Sequence, residues 1–230
     1  PFISAPDSAK LQGVQNPLVR GQDGRFYLDF ERFEEQIVSE KVRAFILCNP
    51  HNPTGRVFTR EELTQLAEIC IRHNVLIISD EIHCDILYDD RKHIPIASLS
   101  PEVAANTITF MAPSKTYNIA GLHASVCIIQ NPGLKDKFHR FCDGLVGRPG
   151  VLALTAAHAA YAEGDEWLTE QNHYLQQNRN FLDGAIRTQL PGIKWNKPEA
   201  TFLGWLDCSE LGLAESPYEF FLREARVGLN

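Results

Sequence analysis

The stretch RAFILCNPHNPTGRVFTREELTQLAEICIRHNVLIIS, Arg43–Ser79, decides the fold. It opens on the apolar run Arg43–Cys48 and closes on Val75–Ser79, both of buried-strand length. Between them, Thr59-Arg60-Glu61-Glu62 has the form of a capping box, whose hydroxyl and carboxylate satisfy orphan N–H groups at a helix start. Leu63, Leu66, Ala67, Cys70 and Ile71 then recur at helical spacing. The stretch is a strand–helix–strand unit.

The same alternation continues outward. Asn106–Met111 and Ser125–Gln130 read as further strands, and Leu134–Leu145 and Val151–Glu163 as helices. A long helical pattern from Glu166 to Gln189 contains no proline, is polar over much of its surface, and ends at Pro191-Gly192. A helix bridging two domains has that character. Thr201–Asp207 returns to strand and Tyr218–Arg226 to helix. Near-continuous apolar strands alternating with helices predict an α/β domain with a mostly parallel sheet. The expected division is a large domain over 1–165, an interdomain helix over 166–190, and part of a small α+β domain over 191–230.

Composition narrows the function classes. The chain has 230 residues, 44% hydrophobic and 22% charged, and a net charge of −7. It has no basic footprint, so nucleic acid is not an expected partner. No apolar run approaches the roughly 18–20 residues that span a bilayer, and the opening Pro1-Phe2-Ile3-Ser4 has no signal-peptide pattern. The six cysteines form no CxxC pair and read as buried free thiols of a reducing compartment, which predicts the cytoplasm.

Three segments follow predicted strands, on the edge where open α/β sheets bind ligands. Cys48-Asn49-Pro50-His51-Asn52-Pro53-Thr54-Gly55-Arg56 is stiffened by two Asn-Pro pairs. It reads as a plain connection or as a rigid loop that presents the Asn52 amide. In Ser79-Asp80-Glu81-Ile82-His83, Asp80 follows an apolar strand, so its carboxylate either caps a following helix or needs a cation. His83 reaches the same ligand if the chain turns helically there. In Ser114-Lys115-Thr116, a lysine sits between an apolar strand and a small-residue loop. It is either a surface lysine or, if buried near another cation, a lysine primed for Schiff-base chemistry.

The order Asn-Pro-Thr-Gly, Ser-Asp-Glu, Ser-Lys-Thr, each after a strand, resembles the class I/II aminotransferase superfamily of fold-type I pyridoxal phosphate enzymes. CNPHNPTGRVFT, VLIISDEIHCDI, MAPSKTYNIAGL and KPEATFLGWLDCSELGL resemble its cystathionine β-lyase, or C–S lyase, branch. The resemblance implies the aspartate aminotransferase fold, pyridoxal 5'-phosphate as cofactor, a small amino-acid substrate and a homodimer. It implies that Lys115 bonds the cofactor and moves protons, and that Asp80 pairs with the ring nitrogen. Asn52 donates to the ring's phenolic oxygen, His83 stands where many aminotransferases carry a tyrosine, and Ser114 contacts phosphate. Where many members have Gly-Leu-Arg, this chain has Gly121-Leu122-His123, and His123 takes no assigned role. The family's greater length implies that both ends of such a protein lie outside this sequence.

The expected reaction is β-elimination of a thiol from cystathionine or a related cysteine S-conjugate. Transamination is the alternative, because both begin with removal of the α-proton. A metal-dependent hydrolase using His51, Asp80, His83, Cys84 and Asp85 is a distant second class, since no HExxH or paired-CxxC spacing is present and Lys115 goes unused. A non-enzymatic interaction module is the third.

Overall fold

A computed structural model describes residues 2–229. Pro1 and Asn230, the outer bounds of the first and last expected regions, lie outside the described residues. The chain begins with α1 (Ala5–Ser8), the antiparallel pair β1 (Val19–Arg20) and β2 (Phe26–Tyr27), and α2 (Phe30–Ser39). Then come β3 (Ala44–Cys48), α3 (Arg60–Arg72), β4 (Leu76–Asp80), α4 (Pro101–Ala105), β5 (Thr107–Met111), α5 (Pro113–Thr116) and β6 (Val126–Ile129). α6 (Pro132–Cys142), α7 (Val151–Glu163), α8 (Asp165–Gln189), β7 (Lys194–Trp195), β8 (Leu206–Asp207) and α9 (Pro217–Phe220) complete it.

The strand–helix–strand unit forms as its residues dictate. Thr59 accepts the Glu62 N–H and Glu62 accepts the Thr59 N–H, so the capping box is closed in both directions. Leu63, Leu66, Ala67, Ile69 and Cys70 of α3 are buried, and with Leu47, Val75, Ile77, Phe33 and Ile37 they form the core. Burying each large aliphatic side chain contributes about 1.5–3 kcal/mol.

The main sheet has the order β3-β4-β5-β6, with β3, β4 and β5 parallel and β6 antiparallel to β5. It is mostly parallel, as expected, with one antiparallel edge. Residues 112–125 hold only α5 and a short 3₁₀ turn, too little for the crossover helix that a parallel return requires. Register sorts the faces. Leu47, Ile77, Ser79, Thr107 and Thr109 are buried, while Ile46, Cys48, Ile78, Asp80 and Phe110 on the other face are half-buried.

The C-terminal part departs from expectation. The strand predicted over Thr201–Asp207 shrinks to β8, paired with β7. Thr201 has φ +68°, which breaks an extended chain, and its N–H donates to Ile86 O at 3.0 Å. The helix predicted over Tyr218–Arg226 divides into α9 and a π-helical turn, Phe221–Ala225, ended by Arg226 at φ +56°. α8 runs unbroken. Gln171 and Asn172 donate to the carbonyls of Thr116 and Asp85, both at 2.8 Å, and Trp195 near its other end donates to Asp183 at 3.0 Å.

All six cysteines are free thiols; Cys70, Cys84 and Cys208 are buried, whereas Cys48, Cys127 and Cys142 are half-buried rather than buried as expected. α7 is rich in apolar residues but buries only Ala153, leaving Val151, Leu152 and Leu154 exposed, as are Phe141, Leu145 and Val146 before it in the chain. Among the described residues, no helix is long and apolar enough to cross a membrane.

Candidate active site

Three parallel strands end on one edge, and the ladder outlasts them. Asn49 N–H donates to Asp80 O at 3.0 Å, and Glu81 N–H to Phe110 O at 2.9 Å. Cys48, Asp80 and Phe110 thus stand in one row, and the segments after them share one edge of the sheet.

The first segment is a tight, buttressed loop. His51 N–H donates to Arg56 O and Gly55 N–H to His51 O, both at 2.8 Å, and the buried Asn49 carboxamide accepts the Phe58 N–H at 3.1 Å. The peptide bonds before Pro50 and Pro53 are cis. Asn52 lies at the exposed tip, and its side chain makes no hydrogen bond among the described residues. Burial, then the Arg56 charge, pushes the His51 ring down to about 4.

Arg56 fastens the base of this loop. It is 1% exposed, donates to Phe26 O at 2.7 Å and pairs with Glu62. Its guanidinium stands 3.8 Å from Glu199, which also pairs with Arg25 at 2.5 Å and Arg91 at 3.1 Å and accepts the Val57 N–H. The Glu199 and Ala200 N–H groups donate to Gly55 O at 2.9 and 3.0 Å. A buried arginine without partners would cost several kcal/mol, so these ties hold residues 198–201 against the Asn52 loop.

In the second segment, Asp80 is half-buried and accepts the Ile82 N–H at 3.1 Å, with no ion pair among the described residues. Burial pushes its carboxyl up, and the Glu81 charge adds to that. Asp80 caps no helix. Residues 81–86 form tight turns through Cys84 N–H to Glu81 O and Ile86 N–H to His83 O, so the helical approach expected for His83 is replaced by a turn. His83 is 2% exposed, and the Phe202 ring meets it edge-on with centroids 5.5 Å apart. Its Nδ1 is buried with no partner among the described residues. Burial, then the Lys115 charge, lowers the ring to about 4, so it is neutral at ordinary pH.

The third segment is α5. Lys115 is exposed, not buried, and its amine makes no hydrogen bond or ion pair among the described residues. Ser114 beside it is half-buried. Thr116 is wholly buried and donates to Asp85 at 3.2 Å, and Tyr117 stacks on Trp167 at 5.7 Å with Tyr161 edge-on at 5.9 Å. Those anchors fix the turn that carries the lysine. His123, at φ +55°, is exposed.

The structure therefore sets Asn52, Asp80, His83, Ser114 and Lys115 on three consecutive strand ends. Of the five residues considered for a metal, two are engaged elsewhere: His51 is bonded to Thr54 at 2.9 Å and Asp85 accepts from Thr116 at 3.2 Å. Among the described residues no group of three or more His, Cys, Asp or Glu is placed to hold a metal ion. Sequence reasoning missed Phe202, the Arg56–Glu199 clamp, and the bond between Glu81 and His93 at 2.7 Å. Only the last left a sequence signal: period-two alternation sets Ser79 and Glu81 on the side opposite Asp80.

The family model described as aminotransferase class I and II matches residues 4–227. Cystathionine beta-lyase PatB of Bacillus subtilis is 44% identical over 218 residues, covering 94% of this chain and 56% of the relative. The structure of the PLP-bound C-S lyase of Staphylococcus hominis matches with TM-score 0.89 and 39% identity, over 96% of this chain and 56% of that one. Cystalysin of Treponema denticola, whose structure contains a pyridoxal 5'-phosphate cofactor, matches with TM-score 0.93 and 29% identity, over 97% and 57%. The chain spans little more than half the length of the curated relatives it matches.

Proposed function

The chain belongs to the aminotransferase class I and II family, and from that membership we propose that it carries the cofactor site of a pyridoxal phosphate-dependent C–S β-lyase. The substrate class is cystathionine or a related cysteine S-conjugate, and the products are pyruvate, ammonia and a thiol. One observation supports this most: a half-buried carboxylate, a buried ring nitrogen and an amine, none with an ionic or hydrogen-bonding side-chain partner among the described residues, stand at neighbouring strand ends. Pyridoxal phosphate answers all three, with a basic ring nitrogen, a phenolic oxygen and a carbonyl carbon.

The roles follow from each group's chemistry. Asp80 holds a cation at the ring nitrogen, and that pairing relieves the cost of burying its charge. Asn52 donates its amide N–H, and His83, neutral, offers one ring nitrogen as donor or acceptor. Ser114 donates its hydroxyl to phosphate. Lys115 bonds the cofactor through its amine and, once released by substrate, takes the proton from the substrate α-carbon. The bound cofactor supplies the electron sink for that deprotonation. With the proton on Lys115, the Cβ–S bond breaks and the sulfur leaves with the bonding pair, to be protonated to the thiol; Lys115 then displaces the three-carbon remainder, which water hydrolyses to pyruvate and ammonia. Return of the proton to the cofactor instead would give transamination; the relatives named as β-lyase and C–S lyase favour elimination.

The expected domain division, 1–165, 166–190 and 191–230, is part of this proposal, supported by α8 bonding to the site segments near one end and to β7 near the other. So is a homodimer, to which we assign the exposed apolar surface from Phe141 to Leu154. A cytoplasmic setting accords with the free thiols.

Borohydride reduction of the intact, cofactor-loaded protein should fix one pyridoxyl group to the peptide carrying Lys115. A label on any other residue sinks the assignment. Pyruvate released from cystathionine with no added keto acid supports the lyase, whereas strict keto-acid dependence makes the protein a transaminase.

A further inference from the structure

A buried polar array lies behind Asp80. Glu81 is 1% exposed and both its oxygens are engaged: Ser79 Oγ donates to one at 2.8 Å, and His93 Nε2 stands 2.7 Å from the other. The His93 side chain is 9% exposed and its Nδ1 is buried without a partner among the described residues. That pattern selects a tautomer. With its hydrogen on Nε2, His93 donates to Glu81 and leaves only a lone pair at Nδ1. A second hydrogen would bury an N–H with no acceptor, beside an added charge. Glu81 then accepts two hydrogen bonds as a carboxylate and, facing a neutral histidine, keeps its full negative charge.

That charge sits one residue from Asp80, on the strand end whose next N–H is tied to β5 at Phe110 O. An ion pair with His93 would have cancelled it. The two carboxylates, Glu81 buried and Asp80 half-buried on opposite sides of one strand end, repel each other, and a cation in front of Asp80 relieves both.

We propose that Glu81 is a positioning residue: a buried second anion, held by Ser79 and His93, that makes the Asp80 pocket bind a protonated ring nitrogen more tightly than Asp80 alone would. The proposal rests on the cofactor assignment above and adds a layer to it. Ser79 and His93 serve by holding the carboxylate against the strand end and by adding no positive charge.

The test compares pyridoxal 5'-phosphate with its 1-deaza analogue, in which a C–H replaces the ring nitrogen and no cation can form. Equilibrium affinities of the intact protein for both are measured by visible absorbance. In the wild type the ratio should favour the natural cofactor, and Asp80→Asn should abolish most of that preference. Glu81→Gln keeps shape and hydrogen-bonding capacity but removes the charge; it should cut the ratio at least about tenfold, the effect at an effective dielectric near 20 of a charge roughly 12 Å away or nearer. Affinity for the analogue should stay within about twofold, because nothing it binds through depends on that charge.

Equal weakening of both ligands means a merely structural Glu81 and overturns the proposal, as does an unchanged ratio. If Asp80→Asn lowers the ratio and Glu81→Gln does not, the cofactor assignment stands and this inference falls. If the wild type bonds no cofactor at Lys115, both fall. A wild-type measurement guards against a variant that fails to fold: ¹⁵N NMR of His93 should show one protonated and one bare ring nitrogen. Two protonated nitrogens would mean a cancelled charge and overturn the proposal.

Discussion

Replacing Gly55 by alanine should destabilise the protein by about 2–5 kcal/mol, in two separable parts. Gly55 has φ +67°, where a Cβ costs about 1–2 kcal/mol whatever surrounds it. The rest comes from contact. A Cβ built there would lie 2.3 Å from Pro198 Cβ and 2.8 Å from Ala200 O, neither of which is the end of a flexible side chain. Forcing them apart is overpacking, at about 1–3 kcal/mol. It also strains the two hydrogen bonds that Gly55 O accepts from Glu199 and Ala200. Gly144 supplies the control: its φ is +74°, and a Cβ there meets nothing within 4 Å, so Gly144→Ala should cost only the backbone part. Equilibrium urea unfolding of both variants, with the slope m unchanged, gives the difference from the shift in midpoint. Gly55→Ala should fall clearly below Gly144→Ala. If the two agree within about 0.5 kcal/mol, the packing of residues 198–200 on the Asn52 loop is wrong.

Other outcomes follow from the same contacts. Thr59→Ala removes one cap bond of α3 and should cost about 1 kcal/mol, whereas Glu62→Ala also strips an ion partner from the buried Arg56 and should cost about 2–3 kcal/mol. Equal losses in urea unfolding would deny Arg56 its dependence on Glu62. Acid should weaken the fold early. His51 and His83 are both held at about 4, chiefly by burial and then by Arg56 and Lys115 respectively. The unfolded chain takes up these protons first, from its ordinary value near 6.5, so stability is whole above that pH and declines as pH falls toward 4. Between pH 6.5 and 5 the decline should reach about 2 kcal/mol per histidine, and the double variant His51→Gln/His83→Gln should flatten it. An unaltered slope in that variant would remove the two rings as its cause.

Local sequence determined a good deal. The apolar runs at Arg43–Cys48 and Val75–Ser79, with a closed capping box and helical spacing between them, encode which faces are buried, and β3, α3 and β4 formed with bounds shifted by at most one residue. Because Asp80 ends one strand of the sheet and Asn52 and Lys115 follow its two neighbours, their placement on one edge was legible as well. What periodicity cannot carry is any pairing between distant segments, or a local bend imposed by one. Glu199 meets Arg25 across 174 positions, and Thr201 takes φ +68° while its N–H reaches Ile86; neither leaves a mark in the local pattern. Phe202 came to lie against His83 by the same long-range docking, and β6 turned antiparallel because its connection lacks a crossover helix. Sequence thus chose the strands and the chemistry at their ends. Tertiary structure decided that Lys115 stands exposed, that no described residue gives Asp80 a cation, and that Glu81 spends its hydrogen bonds on Ser79 and His93, because burial and charge compensation are properties of the assembled surface rather than of any one segment.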